Sequence, residues 1–275
     1  MEMNNREKWQ GMAVPVAIVA AGAVVALTIF YAYGVNIGTR LSDELGVSKS
    51  AQIPGIAGKD EYEVKPVTEK DHITGDLNAP VKVVEYSDTE CPYCKQFHYT
   101  MKSIMEAYGG NPRTEGAEQS SYDGNPRTEG SEQSSYGGKA VWVYRHFPVE
   151  QLHPVKARAE AEALECANEL GGNKAFWAYL DKLFEVTPSN NQLDLALLPE
   201  IAKYVGLEKD KFKICLDGGQ YANHVAQEAE EAISAGGTGT PYTIVIAPDG
   251  RKFPIVGAQS YEVISSLIDA ALRGK

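Results

Sequence analysis

Cysteine is scarce in this chain, four among 275 residues. A scaffold stapled by disulfides needs more than that, so the fold has to rest on a hydrophobic core. Positive charge is also short: 26 Lys and Arg stand against 37 Asp and Glu, a formal net charge of -11. Such a balance argues against a nucleic-acid partner and suits a soluble acidic ectodomain. No second Cys-x-x-Cys and no pair of histidines at structural-zinc spacing follows the first Cys-x-x-Cys. The length accommodates one sizeable domain plus extensions.

What is present first is an apolar run. After a short polar segment, residues 1–11, carrying Arg6 and Lys8, the stretch from Met12 to Tyr33 contains no charge. About 22 residues suffice to span a hydrocarbon core as a helix. Tyr31 and Tyr33 lie at its far end, where interfacial aromatics are expected, and Arg6 and Lys8 place the N-terminus in the cytoplasm. The competing reading, a cleaved signal peptide, wants a shorter apolar core and a small-x-small site; Phe-Tyr-Ala-Tyr-Gly fits that poorly. Residues 12–35 are therefore expected to be a single-pass membrane anchor, with the bulk of the chain extracytoplasmic. Residues 36–70 read as a linker, and a compact domain is expected over 71–275.

Inside that domain one unit occurs twice. Gly110 to Asp123 is repeated almost unchanged from Gly124 to Gly137. The unit has no aliphatic side chain larger than alanine and cannot build a core. It is shorter than solenoid repeats and occurs only twice, so residues 109–139 are read as a duplicated surface loop, expected to be disordered.

The chemistry concentrates in Val81 to His98. A β-branched run reads as a buried strand, Ser87 to Glu90 as a turn, and Cys91-Pro92-Tyr93-Cys94 as the start of a helix reaching about Tyr108. A thiol at a helix N-terminus lies where free N–H groups and the helix dipole favour a thiolate. A second thiol one turn on can attack a disulfide formed by the first. Zinc held by Cys91, Cys94 and His98 is the alternative, weakened by the missing partner motif. A purely structural disulfide across so small a loop contributes little stability. Beyond the loop, Ala140 to Phe147 reads as a strand and residues 154–236 as a helical block. Leu193 to Tyr204, Lys209 to Leu216 and Tyr221 to Ala235 are three of its helices. Tyr242 to Ile246 and Lys252 to Val256 make a hairpin around Pro248-Asp-Gly250, and Tyr261 to Leu272 a terminal helix.

In this order the blocks Asp71-His72…Ala79-Pro80-Val81, Glu85 to Cys94, Tyr144-Arg-His-Phe-Pro148 with His153-Pro154, Ala163-Leu-Glu-Cys-Ala167 and Gly239-Thr240-Pro241 resemble the DsbA family of thiol–disulfide oxidoreductases. The likeness is greatest to its membrane-anchored, BdbD-like members. The resemblance implies an α/β thioredoxin-like fold with an inserted α-helical domain, preceded by one N-terminal transmembrane helix. It makes Cys91 the exposed nucleophile and Cys94 the buried resolving thiol. Pro92-Tyr93 departs from the Pro-His pair of the most oxidising members. Pro241 matches the cis-proline loop facing the active site, and Thr240 before it the substrate-pairing position. Glu85 resembles the buried acid that relays the Cys94 proton. His98, Arg145 and His146 match family positions and are given no chemistry. With Cys91 and Cys94 paired, Cys166 and Cys215 remain for each other, as a structural disulfide or as two buried free thiols.

The expected activity is oxidation of dithiols in reduced exported proteins. No cofactor and no metal are expected, and a membrane quinone-linked re-oxidase of the DsbB or VKOR type is the implied partner. A disulfide reductase or isomerase of the same fold is the alternative. A membrane-tethered scaffold without redox function is the reading from another class.

Overall fold

The computed structural model describes residues 62–110 and 138–274. The expected membrane anchor and both copies of the duplicated unit lie almost entirely outside the described residues. Among the described residues no helix is long and apolar enough to cross a membrane.

Five strands form one sheet: β1 His72–Gly75, β2 Val81–Ser87, β3 Ala140–His146, β4 Tyr242–Ile246 and β5 Lys252–Val256. Their spatial order is β1-β3-β2-β4-β5. Only the β2–β3 pair is parallel, with Glu85 opposite Tyr144; β1, β4 and β5 join antiparallel. Among the described residues six helices accompany them: α1 Pro92–Tyr108, α2 Lys156–Val186, α3 Leu198–Tyr204, α4 Lys209–Gly218, α5 Ala222–Ser234 and α6 Tyr261–Arg273.

Strand periodicity decides which way the site residues of β2 point. Val81 and Val83 pack under α1 and α6 with Phe97, Met101, Ile104, Ile264 and Ile268, whereas Val84 and Tyr86 face the opposite layer with Val143, Ala232 and Ile244. Glu85 and Ser87 continue the Val81–Val83 row, so they turn toward α1. Helix α1 buries Cys94, Phe97, His98, Met101, Ile104, Met105 and Tyr108, a stripe at helical spacing.

The inserted helices have their own core, Leu164, Phe176, Tyr179, Leu180, Leu183, Phe184 and Phe212, and Cys91, Cys94 and Tyr144 belong to that same cluster. The two sulfurs thus sit at the seam between sheet and insertion. Helix α2 is kinked at Gly172, whose φ of 68° and ψ of -172° suit only a residue without a Cβ.

Three expectations change. The expected helix from Leu193 opens instead as a single 3-10 turn, Leu195–Leu197, capped by the Asp194 side chain, before α3 begins at Leu198 with Pro199 in its first turn. The segment ahead of Asp71 is packed rather than a free tether. Tyr62, Val64 and Val67 lie on the sheet, and buried Arg145 donates to the carbonyls of Lys65 and Pro66 at 3.3 and 3.4 Å. The same guanidinium pairs with Asp71 and Glu231, so the approach segment, β3 and α5 share one cation. Finally, β1 is a four-residue edge strand that sequence reading treated only as a lead-in.

Candidate active site

Strand β2 ends at Ser87 and the chain turns through Asp88, Thr89 and Glu90 into α1. Asp88 holds this turn. Its carboxylate accepts from the N–H groups of Glu90 and Val149 at 2.8 Å each and lies 2.8 Å from His153 Nδ1. Its own N–H donates to Cys94 Sγ at 3.4 Å. The helix N-cap is Cys91 itself, with Pro92 at the first helical position.

The two thiols are free, and they are unlike. Cys91 is held down to about 6, chiefly by the hydrogen bond from Cys94, with Thr240 and the N–H groups of Cys94 and Tyr93 adding to it against the cost of burial. Cys94 is pushed well above its ordinary value, first by burial and then by the neighbouring Cys91. One proton between them therefore resides on Cys94 while Cys91 carries the charge.

The resemblance implied an exposed Cys91; the structure leaves it 7% accessible, while the adjacent Tyr93 is 63% exposed. The cover comes from the opposite loop, where Cys91 Sγ lies 3.5 Å from the Thr240 carbonyl oxygen. The Thr240–Pro241 peptide bond is cis, and β4 begins directly after it at Tyr242.

Glu85 is fully buried, accepts a 2.8 Å hydrogen bond from Trp142 Nε1, and is pushed up to about 7 by desolvation. It acts on Cys94 through space, raising the thiol further. Ser87 lies close enough to favour the ionised forms of the Glu85 carboxyl, the Cys94 thiol and the Tyr144 hydroxyl. Glu85 Oε1, Ser87 Oγ and Tyr144 OH are all buried and make no hydrogen bond to the protein. Unpaired buried polar atoms beside a thiol that must gain and lose a proton are where a proton path is expected.

Sequence reading missed Ser87, although its period-two relation to Glu85 was legible. Tyr144 was beyond it, because only the β2–β3 register sets that hydroxyl opposite Glu85. Ser87→Ala is expected to slow formation of the mixed disulfide, the step in which Cys94 leaves and is protonated, by roughly tenfold to a hundredfold, up to the lower end of what a positioned proton-transfer group contributes. Stopped-flow fluorescence with a dithiol peptide measures it, and an unchanged rate would remove Ser87 from the path.

A second acidic pair underlies the turn. Glu160 of α2 is pushed up to about 9, first by burial and then by the nearby Glu90 side chain, so its carboxyl keeps its proton at neutral pH.

The other sequence candidates separate from this site. His98 lies 2.6 Å from Asp181 through Nε2, tying α1 to α2. Arg145 serves the ion-pair network described above, and His146 lies 2.9 Å from Glu165. Cys166 and Cys215 are joined in a disulfide between α2 and α4.

Comparison with known proteins agrees with this architecture. A family model described as Thioredoxin matches residues 67–113 and one described as DSBA-like thioredoxin domain matches residues 140–269. Among curated proteins, the Na(+)/H(+) antiporter NhaA 3 of Salinispora tropica is 30% identical over 208 residues, covering 74% of this chain and 26% of the antiporter. NhaA of Herminiimonas arsenicoxydans is 27% identical over 226 residues, 82% of this chain and 29% of that protein. The chain thus spans about a quarter of the length of these curated relatives. Oxidised BdbD from Bacillus subtilis superposes with a TM-score of 0.59 at 22% identity, over 78% of this chain and all of that one (100%). Pseudomonas aeruginosa DsbA2 gives 0.56 at 24%, over 76% and 98%, and Wolbachia pipientis alpha-DsbA1 0.56 at 20%, over 74% and 92%. The solved structures share the fold, the two family models fall in order along it, and the chain carries a DSBA-like thioredoxin domain, matched over residues 140–269.

Proposed function

We propose that this chain is a thiol–disulfide oxidoreductase that oxidises dithiols of exported proteins outside the cytoplasmic membrane. The observation that carries the reading is the asymmetry of its two sulfurs, one held as thiolate at a helix N-terminus and one buried and protonated beside Glu85.

In the oxidised enzyme a substrate thiolate attacks Cys91 Sγ, forming a substrate–Cys91 bond as the Cys91–Cys94 bond breaks. The electron pair leaves on Cys94, and a proton reaches it from Glu85 by way of Ser87. A second substrate thiolate then attacks the substrate sulfur of the mixed disulfide, and Cys91 departs as thiolate. The substrate has lost two electrons and the Cys91–Cys94 pair has gained them.

A stabilised leaving thiolate favours the reduced enzyme and so makes the disulfide more oxidising. With Cys91 at about 6 rather than 9.0, the gain at pH 7 is about 1.4 kcal/mol, or about 30 mV for two electrons. The apolar run at residues 12–35 supports attachment to the membrane, where a quinone-linked re-oxidase of the DsbB or VKOR type is the proposed partner. A disulfide between Cys166 and Cys215 is of a kind that persists in an oxidising compartment.

Equilibration of the Cys91–Cys94 pair with glutathione is the test. The expected potential lies nearer the roughly -120 mV of DsbA than the roughly -270 mV of thioredoxin. A value at the thioredoxin end would make the chain a reductase, and absence of exchange would leave a scaffold.

A further inference from the structure

Outside the sulfur site, the described residues bring a second set of reactive side chains together. His72 from the edge strand β1, Glu165 from the middle of α2 and His224 from the first turn of α5 converge, each with one donor atom within 4.8 Å of the others. His72 Nε2 lies 2.7 Å and His224 Nε2 3.6 Å from the same oxygen, Glu165 Oε1. We propose that His72, Glu165 and His224 form a binding site for a divalent cation of the zinc class, closing on the ion from three separate elements.

The donor chemistry chooses the ion. Two imidazole nitrogens and one carboxylate oxygen suit Zn2+ and its transition-metal neighbours, whereas Ca2+ and Mg2+ take oxygen. With bonds of about 2.0–2.2 Å, tetrahedral ligand atoms stand roughly 3.3–3.5 Å apart. The separations of 2.7 and 3.6 Å bracket that spacing, and the donor atoms of the two imidazoles lie within 4.8 Å of each other, so small side-chain rotations admit the ion.

The surroundings are built as an outer shell. His72 is stacked on Phe176 with ring centroids 3.6 Å apart and planes 6° apart, which fixes the imidazole. His146 Nε2 lies 2.9 Å from Glu165 Oε1 and orients the carboxylate. Glu228 Oε1 lies 3.5 Å from His224 at the margin of the site and orients that imidazole, leaving water to complete the coordination.

His224 separates this site from an ordinary buried ion pair. His72 and His146 already satisfy Glu165, and all three are buried. His224 adds nothing that the carboxylate lacks; its side chain is 45% exposed, which gives an ion its way in. Bound metal would clamp β1, α2 and α5 together.

The test uses the untagged full chain with Cys91 and Cys94 oxidised to a disulfide, so that neither thiol takes metal. Calorimetric titration with Zn2+ is expected to give one ion per chain with micromolar or tighter affinity. A hundredfold excess over Kd is expected to raise the melting temperature by roughly 5 °C or more. His224→Ala is expected to weaken binding at least about tenfold, while its melting temperature without metal stays that of the wild type. His224→Gln, which retains a polar side chain, is expected to weaken binding alike. Co2+ in place of Zn2+ is expected to show visible d–d bands without thiolate charge transfer. Undiminished affinity in both variants, or no saturable binding by the wild type, overturns the proposal.

Discussion

Cys91→Ser is expected to abolish oxidation of a reduced test protein, a loss greater than about a thousandfold, because a serine hydroxyl at this position neither ionises near neutral pH nor forms a disulfide. The same asymmetry predicts how the wild-type thiols react. Alkylation of the reduced enzyme by iodoacetamide should rise with pH about a midpoint near 6 for Cys91, and Cys94 should stay unmodified there. The reason is physical rather than positional: the hydrogen bond from Cys94, Thr240 and two backbone N–H groups all favour the anion at Cys91, while Cys94 is buried beside Glu85. Cys94→Ala has no disulfide for a substrate thiolate to attack and should lose dithiol oxidation, whereas its Cys91 thiolate should attack a disulfide-bonded peptide, expel one peptide thiolate and accumulate as the mixed disulfide. A midpoint at the ordinary 9.0 of a free thiol would defeat the proposed mechanism even though the fold stands.

Glu85→Gln is expected to make the protein more stable on the alkaline side of the Glu85 midpoint and the enzyme slower on its acid side. Glu85 has a folded value of about 7 against an ordinary 4.5. A carboxyl raised in this way contributes stability that is fully present below its unfolded value and is lost as pH rises through the folded one. The loss therefore runs from about pH 4.5 to just above pH 7. Its size is roughly 3 kcal/mol, given full burial and about 1.36 kcal/mol per unit. Glutamine keeps an oxygen for Trp142 Nε1 but cannot ionise. Denaturant melts at pH 8 should show Glu85→Gln more stable by about 2–3 kcal/mol, and at pH 4 equal to wild type within about 0.5 kcal/mol. Turnover at about pH 6, where Glu85 still carries its proton, should fall on the order of a hundredfold, since proton delivery to the leaving Cys94 is lost, and the deficit should shrink toward pH 8. Equal stability of the two proteins at pH 8 would mean that Glu85 is not the charged group behind the disulfide.

Much of this site was legible in the chain. A β-branched run followed by a turn and Cys-x-x-Cys defines strand, helix start and the two thiols, because backbone groups at a helix N-terminus act on whatever side chain sits there. The hairpin and the terminal helix were legible for a similar reason, as their apolar period and turn residues are local. Other features were not. The Leu193 region has helical spacing, yet Asp194 caps a 3-10 turn there before α3 starts. The short β1 has too few residues to show a period. Tyr62, Val64 and Val67 lie in a stretch whose composition reads as linker, and only the apolar face and the Arg145 guanidinium waiting for it turn that stretch into part of the core.

The sequence by itself determined that two sulfurs would stand one helical turn apart at the end of a buried strand, since that depends on short-range propensity and spacing. The helix start already pointed to Cys91 as the thiolate, and tertiary structure decided how far the two sulfurs are set apart. Burial of Cys94 against Glu85, the closeness of Thr240 to Cys91, and the gathering of His72, Glu165 and His224 all join residues far apart in the chain. Desolvation and Coulomb interaction depend on distance in space, which no local pattern of residues contains.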